Sequence, residues 1–162
     1  MSFSSSLYRH CVAQEEGEET RNAIVRVTAD ELEAEGAMRT RLGLVGSEEA
    51  CEKIAQRFVQ RLGGELATGV EDIQGKTNAT FFVAETQFIA SARHAARETV
   101  LFAWALMASR KHQNSFILIV PYYARIDKRI VYVCDEFNSL KEFEEWLVSP
   151  DGVKFLLGCA KL

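Results

Sequence analysis

Ser115-Phe116-Ile117-Leu118-Ile119-Val120-Pro121-Tyr122-Tyr123 reads as the strongest strand in the chain. Its four consecutive aliphatic residues, Ile117 to Val120, leave no polar alternate position, so the strand they form is expected to be buried on both faces. Pro121 has no N–H to give to a ladder, so pairing should weaken there or the strand should lie at an edge on that side. Downstream, the β-branched run at residues 129–134 predicts another strand, reached through a polar loop at 124–128.

Upstream, the periodicity predicts one long helix over residues 86–112. Ile89, Ala92, Ala96, Val100, Ala103 and Met107 share one face, and the first half carries Arg93, His94, Arg97 and Glu98 on another. In the second half Leu101, Phe102, Trp104, Ala105 and Leu106 make the helix apolar all round. Such a helix must be covered on every side, either inside the core or against another subunit. Leu101, Trp104, Ala105 and Ala108 are therefore the candidate oligomer interface.

Working toward the N-terminus, residues 78–84 and 65–73 read as two strands joined by a hairpin turn at Gln74-Gly75-Lys76-Thr77. Before them Cys51, Ile54, Ala55, Phe58, Val59 and Leu62 form a helical stripe, opened by Ser47 as a cap and closed by Gly63-Gly64. Residues 38–45 alternate as a half-buried strand, Thr28-Ala29-Asp30-Glu31 has the form of a capping box, and residues 23–27 read as the first strand. Toward the C-terminus, Ser139-Leu140-Lys141-Glu142 is a second capping box, opening a helix that buries Leu140, Phe143 and Leu147. Pro150 then sits at a first helical position, before a short last helix over 153–157 that ends at Gly158. The expected fold is one α+β domain over residues 22–162. It has a mainly antiparallel sheet of five or six strands, a long buried central helix and further helices packed on one face of the sheet. Residues 1–21, with Glu15, Glu16, Glu18 and Glu19, are expected to be a flexible acidic N-terminal tail.

The chain has 162 residues, of which 48% are hydrophobic and 26% charged. A core of that size folds without a metal or a disulfide. Cys11, Cys51, Cys134 and Cys159 form no CxxC pair, which gives no support to a zinc site or a redox dithiol. No cofactor or metal is expected. The first residues lack the basic start and apolar core of a secretory signal, and the longest apolar run, residues 100–108, is about half a membrane span. A cytoplasmic protein with reduced thiols is expected, without membrane contact. The net charge of −4 divides into −5 over residues 1–35, +4 over 36–133 and −3 over 134–162. A middle that mildly basic, with an overall pI near 5.5, makes nucleic acid an unsuitable partner.

Few residues point to chemistry. Leu42-Gly43-Leu44-Val45-Gly46-Ser47 is a glycine-bearing strand-to-helix turn, but it lacks the Lys and spacing of a phosphate loop and is followed by Glu48 and Glu49. His94 and His112 stand about 27 Å apart on the expected helix, too far to share a metal. Glu85, Asp135 and Glu136 fall at expected strand ends, where nucleases place carboxylates for a divalent cation, but no Lys stands at a suitable offset. There is no G-x-S-x-G. The most suggestive group is Tyr122, Tyr123, Arg125, Lys128 and Arg129, two phenols and three cations able to stack on and clamp an anionic or aromatic ligand. Arg93, His94 and Arg97 form a second cationic patch. The sequence thus leads to a non-catalytic domain, oligomerising as a homodimer, that binds a protein partner or a small molecule. The alternative is a small enzyme or a nucleotide-like anion-binding module using the Tyr122 to Arg129 loop together with Arg93, His94 and Arg97.

Overall fold

A computed structural model describes residues 20–84 and 97–160, with side chains to residue 156. The chain runs β1 (Asn22–Val27), α1 (Ala29–Ala34), β2 (Met38–Thr40), β3 (Gly43–Val45), α2 (Ser47–Leu62) and β4 (Glu65–Leu66). It continues through a 3-10 turn (Val70–Asp72), β5 (Thr80–Val83), α3 (Arg97–Met107) and α4 (Ser109–His112). It ends with β6 (Ser115–Pro121), α5 (Lys128–Tyr132), β7 (Asp135–Phe137), α6 (Leu140–Leu147) and α7 (Pro150–Ala160). The expected mixture of helix and strand stands; the expected strand direction does not. Five strands form one sheet in the order β4-β5-β6-β1-β7, and every neighbouring pair in it is parallel. The only antiparallel pair among the described residues is the small β2–β3 hairpin, which stands apart from that sheet.

Two misread segments account for the difference. Residues 65–73 hold a two-residue strand and the 3-10 turn rather than one long strand. The Asp72 carboxylate accepts hydrogen bonds from the Thr68 and Gly69 N–H groups, at 2.8 and 3.1 Å. This folds the chain back, so that β5 joins β4 in parallel and not through a hairpin. Residues 129–134 are largely helical, because Asp127 caps α5 and Ile130 and Cys134, four apart, are both buried on the same side of the sheet. The strand follows it, as β7.

β6 lies in the middle of the sheet, between β5 and β1, and not at an edge. Pairing does stop at Pro121, which faces Val27 as the last partner in the register. Burial on both faces holds as read, with Ser115 to Val120 all buried. Ile117 and Ile119 point to one side, with Val25, Val27, Phe58, Phe82, Phe143 and Phe155. Phe116, Leu118 and Val120 point to the other, with Phe81, Val83, Phe102, Leu106 and Ile130. Helices therefore cover both faces. α1, α2, α6 and α7 pack on the first, and the 3-10 turn, α3 and α5 pack on the second. The expectation of helices on one face is corrected by this three-layer arrangement, the usual consequence of parallel strands joined by crossovers.

Local signals fared better than long-range ones. Thr28 closes a true capping box with Glu31. Ser139 accepts from the Glu142 N–H at 2.9 Å, and Pro150 is the first residue of α7. α2 is capped at Gly46, which has φ +86, and Ser47 is already helical. α7 continues through Gly158 to Ala160. The long helix is described only from Arg97, and it breaks after Met107 before the single turn of α4. It is not fully buried: Trp104 is 60% exposed and Met107 53%. Residues 38–45 form an exposed hairpin in place of one half-buried strand, and only Leu44 of it packs against the core.

Candidate functional site

In a parallel sheet the carboxyl ends of all strands lie along one edge, and ligands gather where neighbouring strands send their connections to opposite faces. Here that happens between β1 and β6. The chain leaves β1 into α1 on the first face, and it leaves β6 for α5 on the second. The register ends at Val27 and Pro121, so the next residues, Thr28 and Tyr122, flank the mouth of this crevice.

Tyr122 and Tyr123 are 44% and 79% exposed, and their rings meet edge to face with centroids 4.8 Å apart. Such a pair offers a ring face to a planar ligand. Arg125, on the loop that follows, and Lys128, the first residue of α5, are exposed, and among the described residues no ion pair engages either one. Arg129 is committed elsewhere. Its Nε and Nη2 donate to the two carboxylate oxygens of buried Asp127, at 2.9 and 2.6 Å, and its backbone N–H donates to Asp127 Oδ1 at 2.9 Å, which makes Asp127 the cap of α5. The side-chain hydrogen bonds from Arg129 hold the Asp127 carboxyl below its ordinary value, and the guanidinium is raised in turn. Arg129 therefore builds the loop that displays Arg125 and Lys128.

Arg97 opens α3 and is exposed. The far end of that helix is fixed at the amino edge of the sheet, because Asn22 Nδ2 donates to the Leu106 carbonyl and to Ser109 Oγ, both at 3.1 Å. Eleven residues rise about 16 Å, which carries Arg97 toward the edge where the crevice opens. Arg93, His94 and Glu85 lie outside the described residues.

Of the carboxylates suggested for metal chemistry, Asp135 and Glu136 are the two within the described residues, and both belong to β7. Asp135 opens β7 at the amino edge, is buried, and accepts from Arg21 Nη1 at 2.9 Å; that guanidinium also lies 5.1 Å from the centre of the Trp146 ring. Among the described residues no group of three His, Cys, Asp or Glu side chains is placed to hold a metal ion. Cys51 and Cys134 are buried, and burial, with Glu48 nearby, pushes the Cys51 thiol up to about 12. A thiol so placed is no nucleophile. The N-terminus of α6, a position suited to an anion, is filled from within. Glu31 Oε1 and Oε2 accept from the Leu140 and Lys141 N–H groups, each at 2.9 Å, and Oε1 also accepts from Thr28 at 3.0 Å. Burial alone would raise the Glu31 carboxyl, and these backbone donors more than reverse it.

The four residues named as an oligomer interface do come together. Leu101, Trp104, Ala105 and Ala108 form one wall of an open groove of about 440 Å³, with Val70, Ile73 and Lys76 on the opposite side and His112 and Asn114 at its end. This groove sits beside α4 at the amino edge, away from the crevice. Thr28 was not singled out as a site residue; only the parallel pairing of β1 with β6 brings it there, and the succession of strand, capping box and helix after residue 27 was its one signal. Compared with protein-family models, curated proteins and solved structures, the chain matches none. No helix among the described residues is long and apolar enough to cross a membrane.

Proposed function

We propose that this domain is a non-catalytic binding module whose ligand is a small planar anion of nucleotide-like chemistry, held in the crevice between the carboxyl ends of β1 and β6. One observation carries the reading: the exposed Tyr122–Tyr123 pair stands at the point where the two connections diverge, with the exposed cations Arg125 and Lys128 on the next few residues. A ring packs on the phenols, and the two cations meet the charge. Parallel sheets recruit ligands at this position by geometry alone.

A thermal-shift series against nucleoside mono-, di- and triphosphates and nicotinamide dinucleotides tests the reading. A ligand at 100 times its dissociation constant adds about 2.7 kcal/mol, a rise of several degrees for a domain of this size. The expected result is such a rise in the natural protein and its loss in the Arg125→Ala/Lys128→Ala variant, with the ligand-free melting temperature unchanged. A series without any shift contradicts it. A second reading, self-association, is favoured by the exposed Trp104 and Met107 on α3, and it is compatible with the first because it uses the opposite edge.

A further inference from the structure

We infer that Arg26 is a ligand-binding residue of the β1–β6 crevice, its guanidinium clamping the phosphate nearest the nucleoside of the bound nucleotide. The role rests on the ligand reading above and adds a residue to it. Strands buried on both faces are expected to be apolar throughout. β1 departs from that at two positions, Asn22 and Arg26. Asn22 is accounted for, since its amide ties down Leu106 and Ser109. Arg26 is half-buried, and among the described residues no hydrogen bond or ion pair engages its guanidinium. A cation set partly inside a sheet without a partner costs stability, and such local departures belong to sites kept for binding.

Position says what this cation meets. Asn22 and Ile24 lie on the face covered by α3 and α5, so the alternation of β1 places Arg26 there too. Its partner across β6 is Val120, and Tyr122 follows two residues later, at the mouth of the crevice. A step of two residues beyond a partner on the next strand is about 8 Å, within reach of an arginine side chain and the group it holds. On the other side β7 pairs only as far as Val25, opposite Phe137, so Arg26 stands beyond the last paired residues. The carboxylates around it are committed or set back. Asp127 is held by the two prongs of Arg129, and Glu31 accepts from the N-terminus of α6. Glu136, the partner of Ile24, shares the face of Arg26 one pair further back, and no ion pair joins the two. The fork of a guanidinium matches two oxygens of one phosphate. Inside the mouth, with the Tyr122–Tyr123 pair at the rim, it meets the phosphate next to the nucleoside. Arg125 and Lys128, exposed outside, meet the phosphates beyond.

The test is calorimetric titration of the mono- and triphosphates of adenosine, guanosine, cytidine and uridine into the full natural chain, Arg26→Met, Arg26→Lys and Arg125→Ala/Lys128→Ala. Arg26→Met should weaken mono- and triphosphate alike, about 30-fold or more, the loss typical of one partner in a partly buried charge pair. Arg26→Lys keeps the charge and loses the fork, and should weaken both about 10-fold. Arg125→Ala/Lys128→Ala should weaken the triphosphate more than the monophosphate. The ligand-free melting temperature of Arg26→Met should stay level or rise, since no partner among the described residues is lost. If the natural protein binds, Arg125→Ala/Lys128→Ala binds less well and both Arg26 variants bind as the natural protein does, the role of Arg26 is overturned and the crevice reading stands. A melting temperature lowered by several degrees in both Arg26 variants also overturns it, because the side chain then belongs to the fold. A natural protein that binds none of the eight nucleotides overturns both.

Discussion

On one face of the sheet, α1, α2, α6 and α7 close over a connected aromatic core. Phe58 stacks on Phe82 at 5.8 Å and meets Phe143 edge-on at 5.5 Å, and Phe143 continues to Phe137 and Trp146. On the other face, Phe102 and Phe116 pack edge to face at 5.8 Å just as tightly, but the helix that supplies Phe102 turns Trp104 and Met107 to solvent. Both inner surfaces are complete. The difference lies in the outermost layer, where the first face ends in charged and capped helices and the second in an apolar groove. α3 thus serves the core with Thr99, Phe102, Ala103 and Leu106 and leaves Trp104 and Met107 exposed.

If the two inner surfaces are equivalent, truncating them should cost the same. Phe58→Ala and Phe102→Ala are each expected to lose about 3–5 kcal/mol in urea unfolding, with an unchanged slope. A loss near 1 kcal/mol for Phe102 alone would mean that the second face is loosely packed. The close seating of α7 against α6 is the next largest effect. A methyl group on Gly152 would lie 2.0 Å from the Trp146 carbonyl oxygen and 2.5 Å from the Leu147 Cα, so Gly152→Ala should cost about 2–3 kcal/mol on overpacking alone.

Glu31, in the first turn of α1, joins the segment after β1 to the start of α6. Glu31→Ala should cost about 2 kcal/mol. Its carboxyl is held below the ordinary 4.5 in the folded chain. The stability it contributes is therefore present above that pH and is lost as the pH falls through the folded value. Asp127, lowered by Arg129, acts in the same direction. The urea midpoint should fall on acidification below about pH 4.5, and fall less steeply in Glu31→Gln. Smallest of all, Trp104→Ala should move the stability of the dilute monomer by less than about 0.5 kcal/mol. A larger loss would assign that side chain to the fold and not to an interface.

The sequence disclosed what depends on neighbours along the chain. The apolar run Ile117 to Val120, the stripe on α2, the Thr28 box and the Ser139 cap are all set by side chains a few residues apart. It concealed what depends on distant pairing. Residues 129–134 have the composition of a strand, and tertiary burial of Ile130 and Cys134 makes most of them helical. Gly75 with Lys76 resembles a hairpin turn, while the Asp72 clasp on Thr68 and Gly69 redirects the chain into a parallel step. The crevice depends on the parallel pairing of β1 with β6, which no local pattern encodes, whereas the phenols and cations of Tyr122, Tyr123, Arg125 and Lys128 are legible as chemistry without it. Asp127 explains why Arg129 does not belong with them, a distinction that composition cannot draw.

Calorimetric titration of the nucleotide that gives the largest thermal shift, into the natural protein and into Arg125→Ala/Lys128→Ala and Tyr123→Ala, decides whether the β1–β6 crevice binds it. Binding at one site per chain, weakened at least tenfold in both variants while their melting temperatures stay level, is the predicted result. Unaltered affinity in both variants would contradict the claim that the β1–β6 crevice is where this domain binds.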